Sequence, residues 1–455
     1  MIRIKAVILA AGNSRRMLSD VPKILHKICG KYMLDWVIDS CRESGINDIL
    51  VVIGNGSELV KKNISDVNFC IQDKQLGTGH AVKCARDFFG DTDKNILILN
   101  GDMPLINSDT LKNFIHEAKQ EDASLISTRI DNPTGYGRIL KNKNNFEKII
   151  EEKDANNNEK EINEINVGVY LFKTKILNQT LDFLNNYNSQ SEYYLTDVFE
   201  ILKSQKYRVK IFYHENNKEF FGVNDRYELS RIERMMREKI NKNHMLNGVT
   251  IVNPDTSYID FGVEINSDTV IMPNSFISGN TKIGKKCLIG PDTNIFSSRI
   301  FDNVEIYKSV VKESVIHNNV VIGPFSYIRP NCIIKENVKI GDFVEIKNSN
   351  IEKKTKISHL TYIGDSDVGE NVNFGCGCVT ANYDGKNKNK TIIENDVFVG
   401  CNANLIAPIE IKRNSYIAAG STIDKNIPEN TLAIARAVQI NKLDYDFKNK
   451  NKKIQ

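Results

Sequence analysis

The sequence has no long hydrophobic run, no marked excess of charge of one sign and no cysteine pair with the spacing of a metal or redox motif. No stretch approaches the ~20 consecutive apolar residues with which a helix crosses a bilayer, so membrane insertion is not expected. A net charge of +4 over 455 residues does not indicate a nucleic-acid-binding protein. The length itself favours a globular protein of two domains.

The nine cysteines are an odd number and are scattered along the chain. The closest pair, Cys376 and Cys378, is separated by one residue, whereas zinc and redox motifs have a spacing of two. We therefore expect free thiols and a reducing, cytoplasmic environment. The first residues, Met1 to Lys5, lead directly into an apolar strand, so no signal peptide is predicted. Two stretches of lysine mixed with asparagine, 386–390 and 448–453, are interpreted as a solvated loop and a frayed terminus.

Large aliphatic residues recur at every sixth position through much of the second half of the sequence. The series are Ile259, Ile265, Ile271, Ile277, Ile283, Ile289 and Ile295; Val304, Val310, Ile316, Ile322, Ile328, Ile334, Ile340 and Ile346; Ile351, Ile357 and Ile363; and Val399, Leu405, Ile411, Ile417 and Ile423. This period fits neither a helix nor an alternating strand, so the chain must turn a corner after each repeat. Hexapeptide repeats of this kind form parallel β-helices, in which each short strand buries one aliphatic side chain.

The repeat is interrupted at three places. Its phase slips near residues 296–303 and 347–350, and it is broken between about 364 and 392. Within the break, Asn382-Tyr383-Asp384-Gly385 is a strong turn signal. We predict an extruded loop there, and a loop supported by regular coils is a candidate functional element.

The first half of the sequence alternates apolar runs with helical patterns. Predicted strands are Ile4–Leu9, Ile49–Ile53, Val67–Ile71 and Ile96–Leu99, and predicted helices are Met33–Glu43, Ala81–Phe89 and Leu111–Lys119. This order implies a parallel sheet covered on both faces. An amphipathic pattern follows between Asp225 and His244. The predicted domains are an α/β domain over 1–225, a helical linker over 226–249, and a hexapeptide coil with a tail over 250–455.

The first strand runs into a small-residue turn, Leu9-Ala10-Ala11-Gly12, and Arg16 and Pro22-Lys23 follow. Such a turn lets backbone N–H groups approach a phosphate. Arg16 and Lys23 would supply fixed cations that offset charge on a phosphoryl group during transfer. A glycine-containing turn can also mean only tight packing, so the segment by itself is weak support for a phosphate site.

The pattern LAAG, RM and PK at Leu9–Lys23 resembles the signature of sugar-1-phosphate nucleotidylyltransferases. The segments 72–80, 101–106 and 133–138, extended by Glu151, 164–168 and 222–224, resemble the uridylyltransferases that make UDP-N-acetylglucosamine. The coil is similar to hexapeptide glucosamine-1-phosphate acetyltransferases. Nearly the whole chain therefore resembles the bifunctional UDP-N-acetylglucosamine pyrophosphorylase and glucosamine-1-phosphate N-acetyltransferase family. The resemblance implies a Rossmann-like α/β nucleotidyltransferase domain followed by a left-handed parallel β-helix.

The resemblance also implies site residues for uridylyl transfer. Those for the nucleotide, the sugar and the phosphates are Leu9, Ala10, Ala11, Gly12, Lys23, Gln72, Gly77, Thr78, Asn100, Gly101, Asp102, Gly137, Glu151, Asn166 and Asn224. Asp102 and Asn224 would bind Mg²⁺, which prefers oxygen ligands and bridges phosphate oxygens. The alternative for Asp102 is a turn cap before Pro104, and His80 is expected to pack or cap a helix. The family usually has glycine and threonine at Ser14 and Arg15, and an aromatic residue at Asn100, so these departures leave local contacts open.

The resemblance identifies His359 as the general base of acetyl transfer, because an imidazole with a reference pKa of ~6.5 can accept a proton near neutrality. A histidine on a strand can also be purely structural. The implied sugar-phosphate residues are Arg329, Lys347, Tyr362 and Asn373, and the implied acetyl-coenzyme A residues are Cys376, Asn382, Tyr383, Cys401, Ala419 and Arg436. The alternative for the two cations is a solvated coil face. Cys376 and Cys401 stand where the family generally has alanine and serine, and neither is expected to carry the acyl group.

The sequence is thus interpreted as a cytoplasmic bifunctional enzyme. It would acetylate glucosamine 1-phosphate with acetyl-coenzyme A and join the product to UTP, giving UDP-N-acetylglucosamine and pyrophosphate for peptidoglycan and lipopolysaccharide precursors. Mg²⁺ is the expected cofactor and a homotrimer the expected assembly. Two alternatives stay open: a nucleotidylyltransferase with another nucleotide or sugar, and a noncatalytic scaffold with the same folds. Retention of Arg16, Lys23, Asp102, Asn224 and His359 argues against the scaffold.

Overall fold

The structure is a computed structural model that describes residues 4–12, 15–90, 94–142, 145–443 and 445. The chain divides into two compact units, Met1–Met236 and Arg237–Gln455. The division falls within one long helix, Arg226–Leu246. The departure at Ser14 and the basic stretch at 448–453 lie outside the described residues. None of the helices in the described ranges combines the length and apolar character that crossing a bilayer requires.

The first unit contains strands and helices in alternation. The strands are β1 Lys5–Ala10, β2 Lys27–Ile28, β3 Lys31–Tyr32, β4 Asp48–Ile53, β5 Asn68–Ile71, β6 Asn95–Asn100, β7 Ala123–Arg129, β8 Arg138–Asn142, β9 Asn145–Ile150, β10 Glu164–Lys173 and β11 Val209–Tyr213. The helices are α1 Met33–Glu43, α2 Ser57–Asn63, α3 Thr78–Cys84, α4 Arg86–Phe89, α5 Ser108–Ala118, α6 Asn157–Lys160, α7 Thr174–Leu181, α8 Asp197–Ser204 and α9 Arg226–Leu246. Single 3-10 turns lie at Arg15–Met17, Lys23–Leu25 and Asn217–Phe220 in this unit, and at Pro254–Thr256 in the second. The segment predicted as one helix over Ala81–Phe89 is two helices, because Ala85 leaves the helical conformation.

The main sheet has the strand order β11-β7-β10-β6-β1-β4-β5. Strands β6, β1, β4 and β5 are parallel to one another. The predicted parallel sheet is confirmed for these strands, with an exception at β10, which runs antiparallel to both β6 and β7. The antiparallel hairpin of β8 and β9 then pairs with β10. These reversals arise from long-range pairing of β10, which the local alternation of elements does not encode.

Both faces of the sheet are covered, as predicted. Along β1, Ile8 packs in a cluster with Leu34 of α1 and Phe114 of α5. Its neighbour Val7 packs in a second cluster, with Val82 of α3. Successive strand residues point to opposite faces, so a strand buried on both faces is apolar throughout. The ends of β1, β4, β5 and β6 therefore meet at one edge, where the following loops are free to form a site.

The second unit is a left-handed parallel β-helix with three faces of short strands. The first face consists of Thr250–Ile251, Val270–Ile271, Leu288–Ile289, Glu305–Ile306, Val321–Ile322, Lys339–Asp342, Lys356–His359, Asn373–Phe374, Phe398–Val399, Tyr416–Ile417 and Leu432–Ala433. The second consists of Tyr258–Ile259, Phe276–Ser278, Asn294–Phe296, Val310–Lys312, Tyr327–Ile328, Glu345–Lys347, Tyr362–Gly364, Val379–Ala381, Asn404–Ile406 and Thr422–Ile423. The third consists of Glu264–Ile265, Lys282–Ile283, Arg299–Ile300, Val315–Ile316, Ile333–Ile334, Asn350–Ile351, Ser366–Val368, Thr391–Ile393 and Ile409–Ile411. The aliphatic residues of the repeat form one continuous core along the axis.

The structure confirms the phase slips of the repeat and the extruded loop, but the break itself is shorter than predicted. The buried strand residues after Ile295 are Ile300, Ile306 and Val311, whereas Val310 is only half-buried. Sides of the coil shortened by one residue thus produce the apparent slip near 296–303. The break predicted over 364–392 contains regular strands up to Ala381, and only 382–390 are extruded. The aliphatic pattern fails there because Thr380, a polar residue, occupies the inward position and is buried.

Candidate functional sites

A cavity of about 970 Å³ lies at the edge of the first sheet where β1, β4, β5 and β6 end. The residues that line it are Leu9, Ala10, Ala11, Gly12, Ser19, Asp20, Val21, Pro22, Lys23, Ile24, Gly54, Asn55, Gly56, Val60, Gln72, Gln75, Gly77, Thr78, Ala81, Asn100, Asp102 and Glu192. Its size suits a nucleotide. Ten of the residues predicted for uridylyl transfer therefore share one cavity. A further predicted residue, Gly101, donates its N–H to Leu9 O over 2.9 Å and joins β6 to the end of β1.

Lys23, Asp102 and Asn224 meet at one side of this cavity. The Lys23 ammonium lies 2.6 Å from a carboxylate oxygen of Asp102 and 3.3 Å from the amide oxygen of Asn224. Both oxygens therefore face one point that already holds a positive charge. Glu228 accepts the backbone N–H of Asn224 over 2.6 Å, which fixes that segment. Arg16, predicted as a second cation, is exposed on the turn Arg15–Met17 and does not line the cavity.

Gly137, Glu151 and Asn166 form a second cluster beyond the nucleotide cavity. Asn166 donates its backbone N–H to Gly137 O over 2.8 Å, and its side-chain amide donates to the hydroxyl of Tyr170 over 2.8 Å. Burial raises the pKa of Glu151, although a hydrogen bond from the Thr196 hydroxyl opposes the shift. These groups can both donate and accept hydrogen bonds, as recognition of a sugar requires. Tyr170 was not anticipated, because it lies in an apolar strand run and gives no separate signal.

Gly168 connects the two clusters. Its φ of +80° is one that side chains rarely adopt, and an added Cβ would collide with the side-chain amide of Asn100. The glycine accompanies a register shift in the pairing of β10 with β7. The close approach brings Asn100, at the cavity rim, next to the strand that carries Asn166. Glycine is needed at this position for both backbone conformation and space.

The side chain of His80 orients the side-chain amide of Gln72. The Gln72 amide nitrogen lies 3.0 Å from Nδ1 of His80 and 3.1 Å from Gly77 O. This leaves the amide oxygen of Gln72 to face the cavity. His80, which was predicted to pack or cap a helix, makes this contact from the first turn of α3. Gln75, which was not predicted, donates to Ala11 O over 3.0 Å and holds the first turn in place.

In the second unit, His359 pairs with a carboxylate on the neighbouring coil. Its Nδ1 lies 2.7 Å from Asp342 Oδ1, and its side chain is 62% exposed. The hydrogen bond from His359 lowers the pKa of Asp342, so Asp342 is an ionised acceptor and Nδ1–H is the donor. The other ring nitrogen, Nε2, then carries the free lone pair. Asp342 was missed by sequence reasoning because it lies 17 residues from His359.

Three cations gather on the face beside His359. Arg329 donates to Glu345 over 2.8 Å, and Lys347 lies 3.3 Å from buried Asp365. Lys388 approaches from the extruded loop, and a hydrogen bond and charge repulsion from Lys347 lower the pKa of Lys388. This arrangement has an excess of positive charge that an anion would relieve. Lys388 was interpreted from the sequence as part of a solvated loop. It is exposed, but the structure places it at the cation cluster.

The extruded loop 382–390 is fastened at its base. The side-chain amide of Asn382 donates to a carboxylate oxygen of Asp365, and the backbone carbonyl of Asn382 accepts the backbone N–H of Asn389 over 2.7 Å. Burial opposes ionisation of Asp365, but hydrogen bonds from Asn348 and Asn382 and the charge of Lys347 outweigh it and lower its pKa. The ionised carboxylate of Asp365 therefore anchors both the base of the loop and the Lys347 ammonium. No sequence motif indicates this role.

The remaining predicted acetyl-site residues lie on coils around this loop. An added Cβ on Gly364 would collide with the Tyr362 hydroxyl and lie 2.8 Å from the Asn382 amide, so these two side chains share a small space. Asn373 is half-buried on the strand Asn373–Phe374. Tyr383 is 62% exposed. Arg436 donates to Ala419 O over 2.7 Å, which joins the last described segment to the coil.

Comparisons with known proteins agree with this architecture. The chain matches the nucleotidyl transferase family over residues 5–219 and the bacterial transferase hexapeptide family, with its six repeats, over residues 313–348 and 390–425. The protein named Bifunctional protein GlmU from Clostridium beijerinckii is 49% identical over 440 residues, covering 96% of each chain. Those of Clostridium novyi and Acetivibrio thermocellus are 50% and 49% identical, over 96% and 97% of each chain.

The fold and its two sites define a nucleotidyltransferase joined to a hexapeptide-repeat transferase. Sequence identity of 49–50% to these relatives over 96% of the chain then shows the family to which it belongs. The chain belongs to the GlmU family of bifunctional enzymes. The predicted family, fold class and two-activity enzyme are confirmed, whereas the roles of individual site residues stay predictions.

Proposed function

We propose that the first unit transfers a uridylyl group from UTP to N-acetylglucosamine 1-phosphate and that the second acetylates glucosamine 1-phosphate with acetyl-coenzyme A. The proposal assigns uridylyl transfer to the predicted domain 1–225 and acetyl transfer to the coil 250–455, with 226–249 as linker. The observation that carries it is the presence, in each unit, of positive charge beside the groups its reaction needs. This charge is Lys23 in the first unit and the three cations near His359 in the second. Substrates of this kind occur in the cytoplasm, where we expect the protein to act.

In the first unit the geometry supports positioning rather than covalent catalysis. A sugar phosphate oxygen would attack the α-phosphorus of UTP, and the bond to the β-phosphate would break and release pyrophosphate. Gln72 and the 9–12 turn would hold the base and ribose, Lys23 would face the phosphates, and Glu151 and Asn166 would bind the sugar. Such positioning with charge neutralisation accounts for most catalysis in phosphoryl transfer.

Asp102 and Asn224 fit a bound magnesium ion. Their oxygens already converge on the Lys23 ammonium, at 2.6 and 3.3 Å. Magnesium needs only one or two protein oxygens when phosphates and water complete its shell, so the absence of a three-residue metal cluster among the described residues is no obstacle. When bound, Mg²⁺ would neutralise charge on the phosphates. Lys23 would then contact a phosphate oxygen.

In the second unit, Nε2 of His359 would take a proton from the substrate amine as nitrogen attacks the thioester carbonyl. A carbon–nitrogen bond forms, the carbon–sulfur bond breaks, and coenzyme A leaves as a thiolate that can recover the proton. Asp342 would hold the imidazole in the required tautomer. Arg329, Lys347 and Lys388 would bind the sugar phosphate, because a phosphate offsets their mutual repulsion.

A panel of substrates tests the assignment. We expect the highest rates with UTP and N-acetylglucosamine 1-phosphate in the first assay, and with glucosamine 1-phosphate and acetyl-coenzyme A in the second. Rates with other nucleoside triphosphates or hexose 1-phosphates should be lower by about 10²-fold or more, because unpaired buried polar groups penalise a wrong ligand. Product formation is measured by chromatography. Equal rates with another nucleotide or sugar would contradict the assigned specificity.

We also propose that the coil assembles into a homotrimer through an exposed apolar ridge, formed by Phe325, Phe343 and Leu360. These side chains are 54%, 57% and 58% exposed. Each occupies a coil corner with a positive φ, of 60°, 59° and 39°. Asn274 and Asn402, at equivalent corners, suit this conformation better. A large apolar residue is unfavourable there in both conformation and solvation, so a covering partner is expected. The ridge immediately follows Asp342 and His359, which supports a shared acetyl site.

The variant Phe343→Asn should weaken self-association by about ten-fold or more, because aromatic anchors dominate interfaces. The backbone strain at position 343 should fall in the monomer, since asparagine tolerates this φ. Sedimentation velocity measures the assembly, and acetyl transfer should decline with it while uridylyl transfer does not. Phe183→Asn, which removes a side chain that is 63% exposed in the first unit, is the matched control. An unchanged trimer in Phe343→Asn would exclude the ridge as the interface.

A further inference from the structure

Two exposed cysteines lie beside each other in the region proposed for acetyl-coenzyme A. Cys376 and Cys401 are both exposed, whereas Cys378 between them in sequence is buried. No feature of the proposed reaction uses a thiol side chain, because the acetyl group passes directly to the amine. The proposed reaction therefore gives these two nucleophilic thiols no role, although it uses the other groups of the site.

The coil places these cysteines on adjacent turns in register. Phe374 pairs with Val399 in parallel strands, so Cys376 and Cys401 are each two residues beyond a paired position. Backbone hydrogen bonds of 2.7 Å bracket the pair: Gly375 N to Val399 O on one side and Asn402 N to Cys376 O on the other. Strands in register lie about 4.8 Å apart. A disulfide needs a Cα separation of about 4.4–6.8 Å, so the backbone spacing already fits.

The sulfur positions agree with this geometry. A Cβ built on Gly375 would lie 2.9 Å from the Cys401 sulfur, so that sulfur points toward the coil of Cys376. Burial raises the pKa of Cys378 to about 11, and both Cys401 and Cys376 add to the shift, which places both sulfurs near the same buried thiol. Rotation about the side-chain bonds is the movement that would then bring the two exposed sulfurs together.

The pair also lies between catalytic and binding groups. His359 is two residues beyond Ile357, which pairs with Phe374, so His359 and Cys376 are on neighbouring coils. On the other side Val399 pairs with Ile417, and Gly420 donates its N–H to Cys401 O over 2.8 Å. His359, the two cysteines and Ala419 therefore occupy equivalent positions on four successive turns of the coil. A covalent bridge between the thiols would occupy the path from coenzyme A to the base.

We propose that Cys376 and Cys401 form a reversible disulfide that blocks acetyl transfer when hydrogen peroxide is present. The Cys376 thiolate, formed by loss of its proton to His359, attacks one peroxide oxygen and breaks the O–O bond, giving a sulfenic acid and water. The Cys401 thiol then attacks that sulfur and a second water leaves. The two sulfurs lose two electrons in total, and the peroxide gains them. A dithiol restores both thiols by exchange.

Formation of the disulfide does not require the proposed acetyl transfer, whereas its effect on activity rests on that proposed function. The full-length protein is reduced, treated with hydrogen peroxide, alkylated and digested. We expect one cross-linked pair of peptides containing Cys376 and Cys401, lighter by two hydrogens, and loss of two of the nine thiols. Acetyl transfer should fall by about ten-fold or more, because small displacements at a reacting centre are costly, and should return with dithiothreitol.

Two double variants separate the possible outcomes. Cys376→Ala/Cys401→Ser carries the residues usual in the family, and its acetyl transfer, relative to its own untreated rate, should resist peroxide. Cys70→Ala/Cys84→Ala removes two half-buried thiols of the first unit, and this control should stay sensitive. If both Cys376 and Cys401 can still be alkylated after peroxide treatment, the proposed disulfide is wrong. If peroxide lowers acetyl transfer as much in Cys376→Ala/Cys401→Ser as in the wild type, the disulfide does not control the activity. A reduced enzyme without acetyl transfer would refute the proposed function, while the peptide map would still decide the disulfide.

Discussion

Replacing His359 by alanine is expected to lower acetyl transfer by about 10²- to 10⁴-fold, the usual contribution of a general base, and to leave uridylyl transfer at the wild-type rate. The residue is 62% exposed and its removal leaves no buried cavity, so the coil should keep its stability. Both activities are measured on one preparation, together with the melting temperature. The loss should appear in kcat rather than in KM, because the base acts on a proton in the transition state.

Two companion variants make the result specific. His317→Ala removes another coil histidine, stacked on Phe301 at 4.9 Å and 3.4 Å from Glu336, and should have little effect on acetyl transfer. Asp342→Asn keeps the shape beside His359 but removes the ionised acceptor. Its activity should fall less than that of His359→Ala, because Asp342 orients the ring and does not itself take the proton. An unaffected acetyl rate in His359→Ala would refute the assigned base.

Replacing Asp102 by alanine is expected to lower uridylyl transfer by about 10³-fold, a magnitude typical of losing a group that clamps charge on a transferring phosphoryl. Acetyl transfer should be unaffected. The substitution removes the carboxylate 2.6 Å from Lys23, so the Lys23 ammonium loses a partner as well. The rate is measured over a range of Mg²⁺ concentrations. A higher Mg²⁺ requirement in Asp102→Asn, which keeps one oxygen, would support a ligand role.

The matched control is Asp109→Ala, which removes a carboxylate that is 75% exposed and pairs with Lys112 on α5. It should have wild-type activity in both assays. A turn cap is the alternative role for Asp102, and it makes a different prediction. If capping were the only role, Asp102→Asn would restore the rate without any change in Mg²⁺ dependence. Loss of both activities from either Asp102→Ala or His359→Ala would contradict independent sites.

The regular parts of both units could be predicted because they follow from local patterns. Helix α1 begins and ends at the residues predicted, Met33 and Glu43, since its apolar residues repeat with the helical period. The nucleotide cavity was predicted from short motifs because each motif directly follows a strand, and the ends of parallel strands meet at one edge. Asp342 and Lys388 had no such motif. Their roles depend on which residue of another coil or loop lies beside them.

The sequence by itself determined the β-helix, the α/β domain and the motif residues, because burial period and turn chemistry act over a few neighbouring residues. Only the tertiary structure decided the register between coils. Where a coil is regular, partners are 18 residues apart, as for Val270 and Leu288. Shortening one side changes this spacing to 17 and places Asp342, rather than Gly341, opposite His359. A one-residue difference in coil length thus determines which side chain meets the imidazole, and no local pattern records it.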